Sequence, residues 1–534
     1  MSASQRPPAL SAGGMVSSSH PAASLAGARV LADGGNAIDA TLAMAGLTWL
    51  TLPGQCGIGG DAFAVVREPD GRVWTVNGSG FGPDGGTPDF YAAQGLGAIP
   101  MDGPLAVAVP GAPAALLALH GGGATRSLSE LWEPTARIAE NGLPCSARTA
   151  GDVGVAAAAV AADPGLAEIY APQGVPPAVG RRLPHPALAA TIRMLAHNPG
   201  GFYTGEFAER AVAALQAGGA PFSGDEWAAG AQVTPEPALT GRYAGAVLHQ
   251  TPLPTPGWMV LQQAALCDGA LGASEWLSAA AIDRLARAAR LSFADRFALC
   301  GSDNRREGAD YILTAERLDA QRRDLDGRIE VRGPMAVAAG DTTSTVAVDA
   351  DGRAVSFIHS LAFTFGAKFS VPGTGVVLNN RLGRGAYLLP GHPNEVTPRR
   401  KPLHTLNAWI VTDERGALRH VGNTPGGDGQ VQWNMQLISH VLDYGRDAAE
   451  AVAASRFTVF PGSDADVIGA PDELRVEPSL PGAVRDELAA LGHRIVVQPD
   501  LGAGGSAQLI SVDDRGVLTG AADPRQEGVA LGVE

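Results

Sequence analysis

The sequence predicts an α+β protein whose helix-rich first part and strand-rich last part share one core. Two observations carry this. Alanine and leucine, good helix formers, dominate residues 22–50 and much of 125–330. From residue 342 onward short alternating segments appear instead (STVAVD, AVSFIHS, LNAWIVTD, RIVVQPD, AQLISVDD), with the period of half-buried strands. A third observation joins the two parts: no repeat and no low-complexity linker divides the 534 residues.

Taken in order, AASLAGARVLADGGNAIDATLAMAGLTWL (22–50) reads as two helices broken at Gly34-Gly35. GQCGIGGDAFAVV is a glycine-rich turn running into an apolar strand. Residues 105–120 read as strand, Pro110-Gly111, then helix. Residues 125–330 are mainly helical between Pro/Gly loops, and ERLDAQRRDLDGRI (316–329) is a charged surface helix. VRGPMAVAAGD (331–341) is apolar and patternless. TGVVLNN reads as a further short strand, and a helix near 430–454 separates two groups of strands. GRGAYLLPGHPNEVTPRR (383–400) is a long loop in which Tyr387 could close over a pocket.

Composition narrows the function class. A net charge of −15 and a pI near 5.2 argue against nucleic acid, which is bound by basic faces. No run of about 20 apolar residues suggests a membrane span. The N-terminal stretch lacks a charged segment followed by an apolar core, so it does not read as a secretory signal. The four cysteines are scattered, which fits free thiols in a reducing cytoplasm. Neither they nor the eleven histidines show metal-ligand spacing, so no metal or organic cofactor is expected.

The stretch GDTTSTVAVDADGRAVSFIHS (340–360) reads as a β-hairpin. Asp349-Ala350-Asp351-Gly352 has the chemistry of a type I turn closed by a left-handed glycine. That loop pairs Asp349 with Arg353, and counting outward sets Thr342 opposite Ser360. A two-residue loop would instead set Leu361 there. A facing pair of hydroxyls is commonly no more than a polar cross-strand pair. If the peptide bond before Thr342 is cut, however, the new α-amine can serve as base for the threonine hydroxyl. His359 would point to the opposite face, toward the core.

Nine stretches in order, from Met15 to Arg525, resemble the γ-glutamyltransferase family of N-terminal-nucleophile hydrolases. They are MVSSSHPAASLAGARVLADGGNAIDA, GIGGDAF, VPGAPAA, the hairpin itself, PGTGVVLNN, RRKPLHT, TPGGDGQ, DELRVEP with GHRIVV, and GAADPR. The resemblance implies a four-layer αββα sandwich made as one precursor. It implies self-cleavage between Asp341 and Thr342 into fragments 1–341 and 342–534 that stay intertwined. It gives Thr342 the role of nucleophile and α-amine base, Ser360 that of orienting the nucleophile, and Gly426 with Gly427 that of the oxyanion hole.

The departures from the family pattern concern the substrate. Ser79 stands where an arginine would grip a glutamyl carboxylate, and Ala362 replaces an asparagine. Arg384 stands where an acidic residue would take the ammonium, and His404-Thr405 replaces a serine pair. Ser344 follows Thr342-Thr343 where the family has histidine. The expected substrate is therefore a small amide bearing a carboxylate, oxamate-like, held by Arg384, His404 and Thr405. KPLHTLN, TPGGDGQ and GSGF resemble the branch that includes oxamate amidohydrolase and acylases. Acylase activity, γ-glutamyl hydrolysis or transfer, and an uncleaved inactive member remain the alternatives. The expected partners are the small-molecule amide and the chain's own two fragments. Nucleic acid and membrane are not expected, and a homo-oligomer stays open.

Overall fold

The computed structural model describes residues 6–300, 306–325, 341–463 and 471–534. Two seven-stranded antiparallel sheets lie face to face. The first runs, edge to edge, Val529–Val533, Gly14–Ser18, Asp341–Val348, Ala354–Ala362, Asp61–Arg67, Val73–Gly78, Glu236–Pro237. The second runs Ala9–Ser11, Leu518–Ala522, Gln508–Val512, Leu418–Asn423, Ala408–Asp413, Ala246–Gln250, Leu239–Tyr243. Each sheet takes strands from both the first and the last part of the chain, as expected of a shared core.

Three apolar layers define the four structural ones. Alternation along the strands puts Phe63, Val65, Val346, Val348 and Ile358 against Ile410, Val421 and Ile510 between the sheets. The opposite faces of the same strands, with Ala64, Val66, Ala347, Val355 and Phe357, meet helices Pro21–Ala32, Ala37–Thr51, Ala112–Gly121 and Leu128–Asn141. Trp409, Val411 and Leu509 meet helices Gly257–Cys267, Ala279–Ala298 and Gly429–Leu442 on the far side. The result is an αββα sandwich.

Local chemistry explains the element ends. Gly34 (φ 80°) closes the first helix. Asn36 and Asp39 form a reciprocal capping box at the next one, whose residues are all buried. That helix is buried all round because it lies between the sheet and helix Leu128–Asn141, where Trp132 Nε1 donates to Leu42 O (3.0 Å). The hairpin turn has the expected form: Asp349 N–H donates to Arg353 O (3.1 Å), and Gly352 has φ 79°. Its ladder pairs Thr343 with His359 and Val348 with Ala354, in the predicted register.

Some expectations differ. Residues 105–109 form no strand: Pro104–Ala106 is a 3₁₀ turn, and the Ala108 N–H is taken by the Asn379 side chain (3.1 Å) rather than a neighbouring strand. The hairpin Leu239–Tyr243 and Ala246–Gln250 lies inside the region read as helical. Its turn residues Ala244 (φ 49°) and Gly245 (φ 77°) are both left-handed, as a two-residue hairpin loop requires. TGVVLNN yields only the short strand Val376–Val377. Helix Ala315–Leu325 is charged as expected but buries Leu318, Gln321 and Leu325. Residues 326–340, including most of the patternless apolar run, lie outside the described residues. No helix among the described residues is long and apolar enough to cross a membrane.

Candidate active site

Thr342 is buried at the head of its strand, within an irregularity of the ladder between Asp341 and Thr343. Its hydroxyl donates to Ser360 Oγ (3.2 Å), which also accepts the Ala362 N–H (2.8 Å). Ala362 has φ 86°, so the strand leaves the ladder in a sharp left-handed bend just past Ser360. Gln55 closes the other side. With its amide turned so that oxygen meets Arg148, its nitrogen donates to Thr342 O (3.0 Å). Gly59 and Gly60 of GIGGD are needed for close approach: a side chain at Gly59 would overlap the Val377 carbonyl and one at Gly60 the Ser360 carbonyl. Cys56 lies in the same turn, and burial pushes its thiol up to about 12, which keeps it protonated near neutral pH.

Strand Leu418–Asn423 of the second sheet leads into Thr424-Pro425-Gly426-Gly427-Asp428. Asn423 Nδ2 donates to Phe357 O (2.9 Å) and to Ser356 Oγ (3.0 Å), which fixes this turn over the hairpin. Gly426 (φ 128°) and Gly427 (φ 58°) are both left-handed. Their carbonyls accept from Gly429 N (3.0 Å) and Gln430 N (3.1 Å), while neither of their own N–H groups has an acceptor among the described residues. Two free donors thus sit at the N-terminus of helix Gly429–Leu442, where the peptide dipoles favour negative charge. Asp428, at the helix start, is clamped by Arg296 (Nη1 to Oδ1, 2.8 Å), and the other terminal nitrogen of Arg296 donates to His404 O.

A buried charge cluster lies beside these groups. Asp61 Oδ2 accepts from Arg381 Nε (2.8 Å) and meets His404 Nε2 (3.0 Å), and its Oδ1 accepts from Gly80 N (2.9 Å). Burial alone would raise the Asp61 carboxyl, but Arg381 and His404 together hold it below the usual carboxylate range. Burial, reinforced by Arg381, pushes His404 down to about 3, so it is neutral. Its Nδ1 accepts from Leu406 N (3.3 Å), which leaves the proton on Nε2, facing Asp61. Arg384 is fully buried: its Nη1 donates to Ala362 O (2.7 Å) and its guanidinium lies 4.4 Å from the Phe363 ring centre. The buried Thr405 hydroxyl has no hydrogen-bond partner among the described residues.

Residues 23–533 match the family model described as gamma-glutamyltranspeptidase. The chain belongs to this family. It is 31% identical to a glutathione hydrolase-like proenzyme of Bacillus subtilis (strain 168), over 97% of this chain and 98% of the relative. It is also 31% identical to an oxamate amidohydrolase proenzyme of Klebsiella pneumoniae, with the same coverage. The crystal structure of a cephalosporin acylase from Bacillus halodurans superposes with a TM-score of 0.90 at 29% identity, over 99% of this chain and 97% of that one. As a gamma-glutamyltranspeptidase family member the chain is an N-terminal-nucleophile amidohydrolase with a proenzyme's organisation.

Within this family frame, the structure brings Thr342 and Ser360 into contact and puts two free N–H groups on Gly426 and Gly427. The backbone of Asp341 pairs with Ala362. Arg384 is not a solvated loop residue, since it is buried one peptide away from the bend at Ala362. His404 departs from expectation. Both its ring nitrogens are engaged within the protein, so it cannot grip a substrate carboxylate without breaking those bonds. His359 faces the helices and meets Thr48 Oγ1 (3.0 Å). Tyr387 packs against Phe297 and His392, and its hydroxyl donates to Ser463 O. Sequence reasoning missed Gln55, Asp61, Arg296, Arg381 and Asp428. The signal for three of them was present, because Asp61, Arg381 and Asp428 lie inside GIGGDAF, NNRLGRG and TPGGDGQ.

Proposed function

We propose that the chain cuts itself between Asp341 and Thr342, giving fragments 1–341 and 342–534, and that Thr342 then hydrolyses a small carboxylate-bearing amide of the oxamate type. The observation that carries this reading is the buried Thr342 hydroxyl at the head of a strand, 3.2 Å from Ser360 Oγ. Once freed, the α-amine, with a reference pKa of about 7.7–8.0, takes the hydroxyl proton as Oγ1 attacks the amide carbon. Ser360, held by the Ala362 N–H, orients the attacking oxygen. The oxyanion is received by the N–H groups of Gly426 and Gly427. The ammonium returns its proton to the leaving amine, and water then releases the acyl group.

The charge of the site supports the substrate class. Arg384 is joined to the nucleophile through Ala362 and Ser360, so a fixed buried cation stands near the acyl group. The ammonium of a γ-glutamyl group would meet like charge there, while a carboxylate would be attracted. Thr405, with its unpartnered hydroxyl, offers a donor to the same group. His404 supports the pocket through Asp61 rather than touching substrate. The glutathione hydrolase-like relative favours a second reading, γ-glutamyl hydrolysis. The deciding experiment is a turnover panel of oxamate, a chromogenic γ-glutamyl anilide and neutral acylamides. Release of ammonia from oxamate with little γ-glutamyl turnover is expected; robust γ-glutamyl turnover would sink the substrate assignment. A single full-length band after expression, with no activity on any amide, would instead mark an inactive member.

A further inference from the structure

We propose that Trp433 is a positioning residue that sets the oxyanion turn, by filling the space in which the Gly426 peptide would otherwise relax. This rests on the reading that Gly426 and Gly427 supply the oxyanion donors. Trp433 lies in the second turn of helix Gly429–Leu442, and its indole sits in a cradle of glycines. A side chain at Gly426 would overlap the outer edge of the ring. One at Gly429 would come within 2.5 Å of it, and one at Gly505 within 2.9 Å. The edge of the ring therefore packs directly on the backbone of the turn and of the loop around Gly505.

The indole is itself immobilised. Its Nε1 donates to Thr458 Oγ1 (2.9 Å) on the strand Phe457–Phe460. The Arg456 guanidinium lies 5.1 Å from the ring centre, within cation–π range. Arg456 is locked in turn by the Asp523 carboxylate and by Gly504 O (2.6 Å). Gly426, at φ 128°, has a conformation that glycine can leave easily, because no Cβ restricts it. Neither its N–H nor that of Gly427 is held by an acceptor among the described residues. Beyond the hydrogen bonds on its carbonyls, the turn is limited by the rigid ring against Gly426 and by the Arg296–Asp428 clamp. A buried tryptophan that only filled the core would affect stability alone. One that holds the oxyanion donors affects the chemical step, because donors must already be aimed when charge develops.

The test compares Trp433→Leu, Trp433→Phe and Thr458→Val with the unaltered enzyme on its best amide. Rates are counted per mole of N-terminal Thr342, so that misfolded or uncut protein is excluded. Loss of one oxyanion donor typically costs about two to three orders of magnitude in rate, so misaiming should cost part of that. The expected result is a kcat lowered about ten- to a hundred-fold in Trp433→Leu and less in Trp433→Phe and Thr458→Val, with KM within about threefold. An unchanged kcat per Thr342 terminus in Trp433→Leu would overturn the proposal, as would KM rising with kcat intact. If the leucine variant does not fold, Trp433→Phe and Thr458→Val decide by the same criterion. Gly426→Ala separates the two levels: full kcat in that variant removes the oxyanion reading itself, whereas loss there with none in the Trp433 variants removes only the role of Trp433.

Discussion

At the scale of single residues the site is a short chain of contacts, Thr342 hydroxyl to Ser360, Ala362 N–H to Ser360, and Ala362 carbonyl to Arg384. Two predictions belong here. Thr342→Ala removes the proposed nucleophile of both reactions, so the chain should run as one band and turn over no amide; normal cutting of that variant would refute the assignment. Arg384→Met removes the buried cation. A charge-assisted hydrogen bond contributes about 1.5–3 kcal/mol, so KM for a carboxylate-bearing amide should rise about ten- to a hundred-fold. A neutral amide of the same size should be little affected, and equal effects on both would mean that Arg384 only supports the bend at Ala362.

At the scale of elements, Arg296 joins three pieces of chain that are far apart in sequence. It lies in helix Ala279–Ala298, holds Asp428 at the start of helix Gly429–Leu442, and donates to the His404 carbonyl. Its side chain is 1% exposed and that of Asp428 11%, so water cannot replace either partner fully. Removing one member of such a pair takes the opposite charge away from a largely buried group, which typically costs about 3–5 kcal/mol. Arg296→Met should therefore lower the urea midpoint substantially, and Arg296→Met with Asp428→Asn should recover part of the loss. A single variant as stable as the parent would show that the pair carries no weight.

At the scale of the whole molecule, the proposed cut falls inside the first sheet. Strand Asp341–Val348 pairs with Gly14–Ser18 on one side and with Ala354–Ala362 on the other, and Ala354–Ala362 pairs with Asp61–Arg67. Fragments 1–341 and 342–534 should then co-elute at full mass in native chromatography and separate only in denaturant; separation in native buffer would contradict the shared sheet. Burial also fixes the pH response. His359, His404 and His440 are pushed down to about 3, and His20, His185, His249 and His420 to about 4, chiefly by desolvation. Their folded values lie below the unfolded value of about 6.5, so the unfolded chain binds protons that the folded chain refuses. This stability is complete above about pH 6.5 and is lost as pH falls toward 4, at a rate approaching 1.4 kcal/mol per pH unit for each fully buried group. Urea midpoints of uncut Thr342→Ala protein should be flat from pH 9 to 7 and fall steeply below 6.5. A midpoint constant down to pH 4.5 would mean that these histidines are not held neutral.

Local sequence chemistry alone determined the hairpin. Asp349 and Gly352 set the turn, the turn sets the register, and the register brings the Thr342 and Ser360 hydroxyls together. It determined the paired helices around Gly34 and the alternating strands of the last part for the same reason, since each depends on residues a few positions apart. The hairpin at Ala244-Gly245 escaped because Ala-Gly is not one of the usual turn pairs of a two-residue loop, and its strands are fixed by pairing with each other and with Ala408–Asp413 of the second sheet. Tertiary structure alone decided what His404 and Arg384 are. Whether a cation faces water, a carboxylate or a substrate depends on which distant segments surround it. For His404 those are Asp61 and Arg296, brought close only when the two sheets pack, and burial then makes its imidazole a neutral donor.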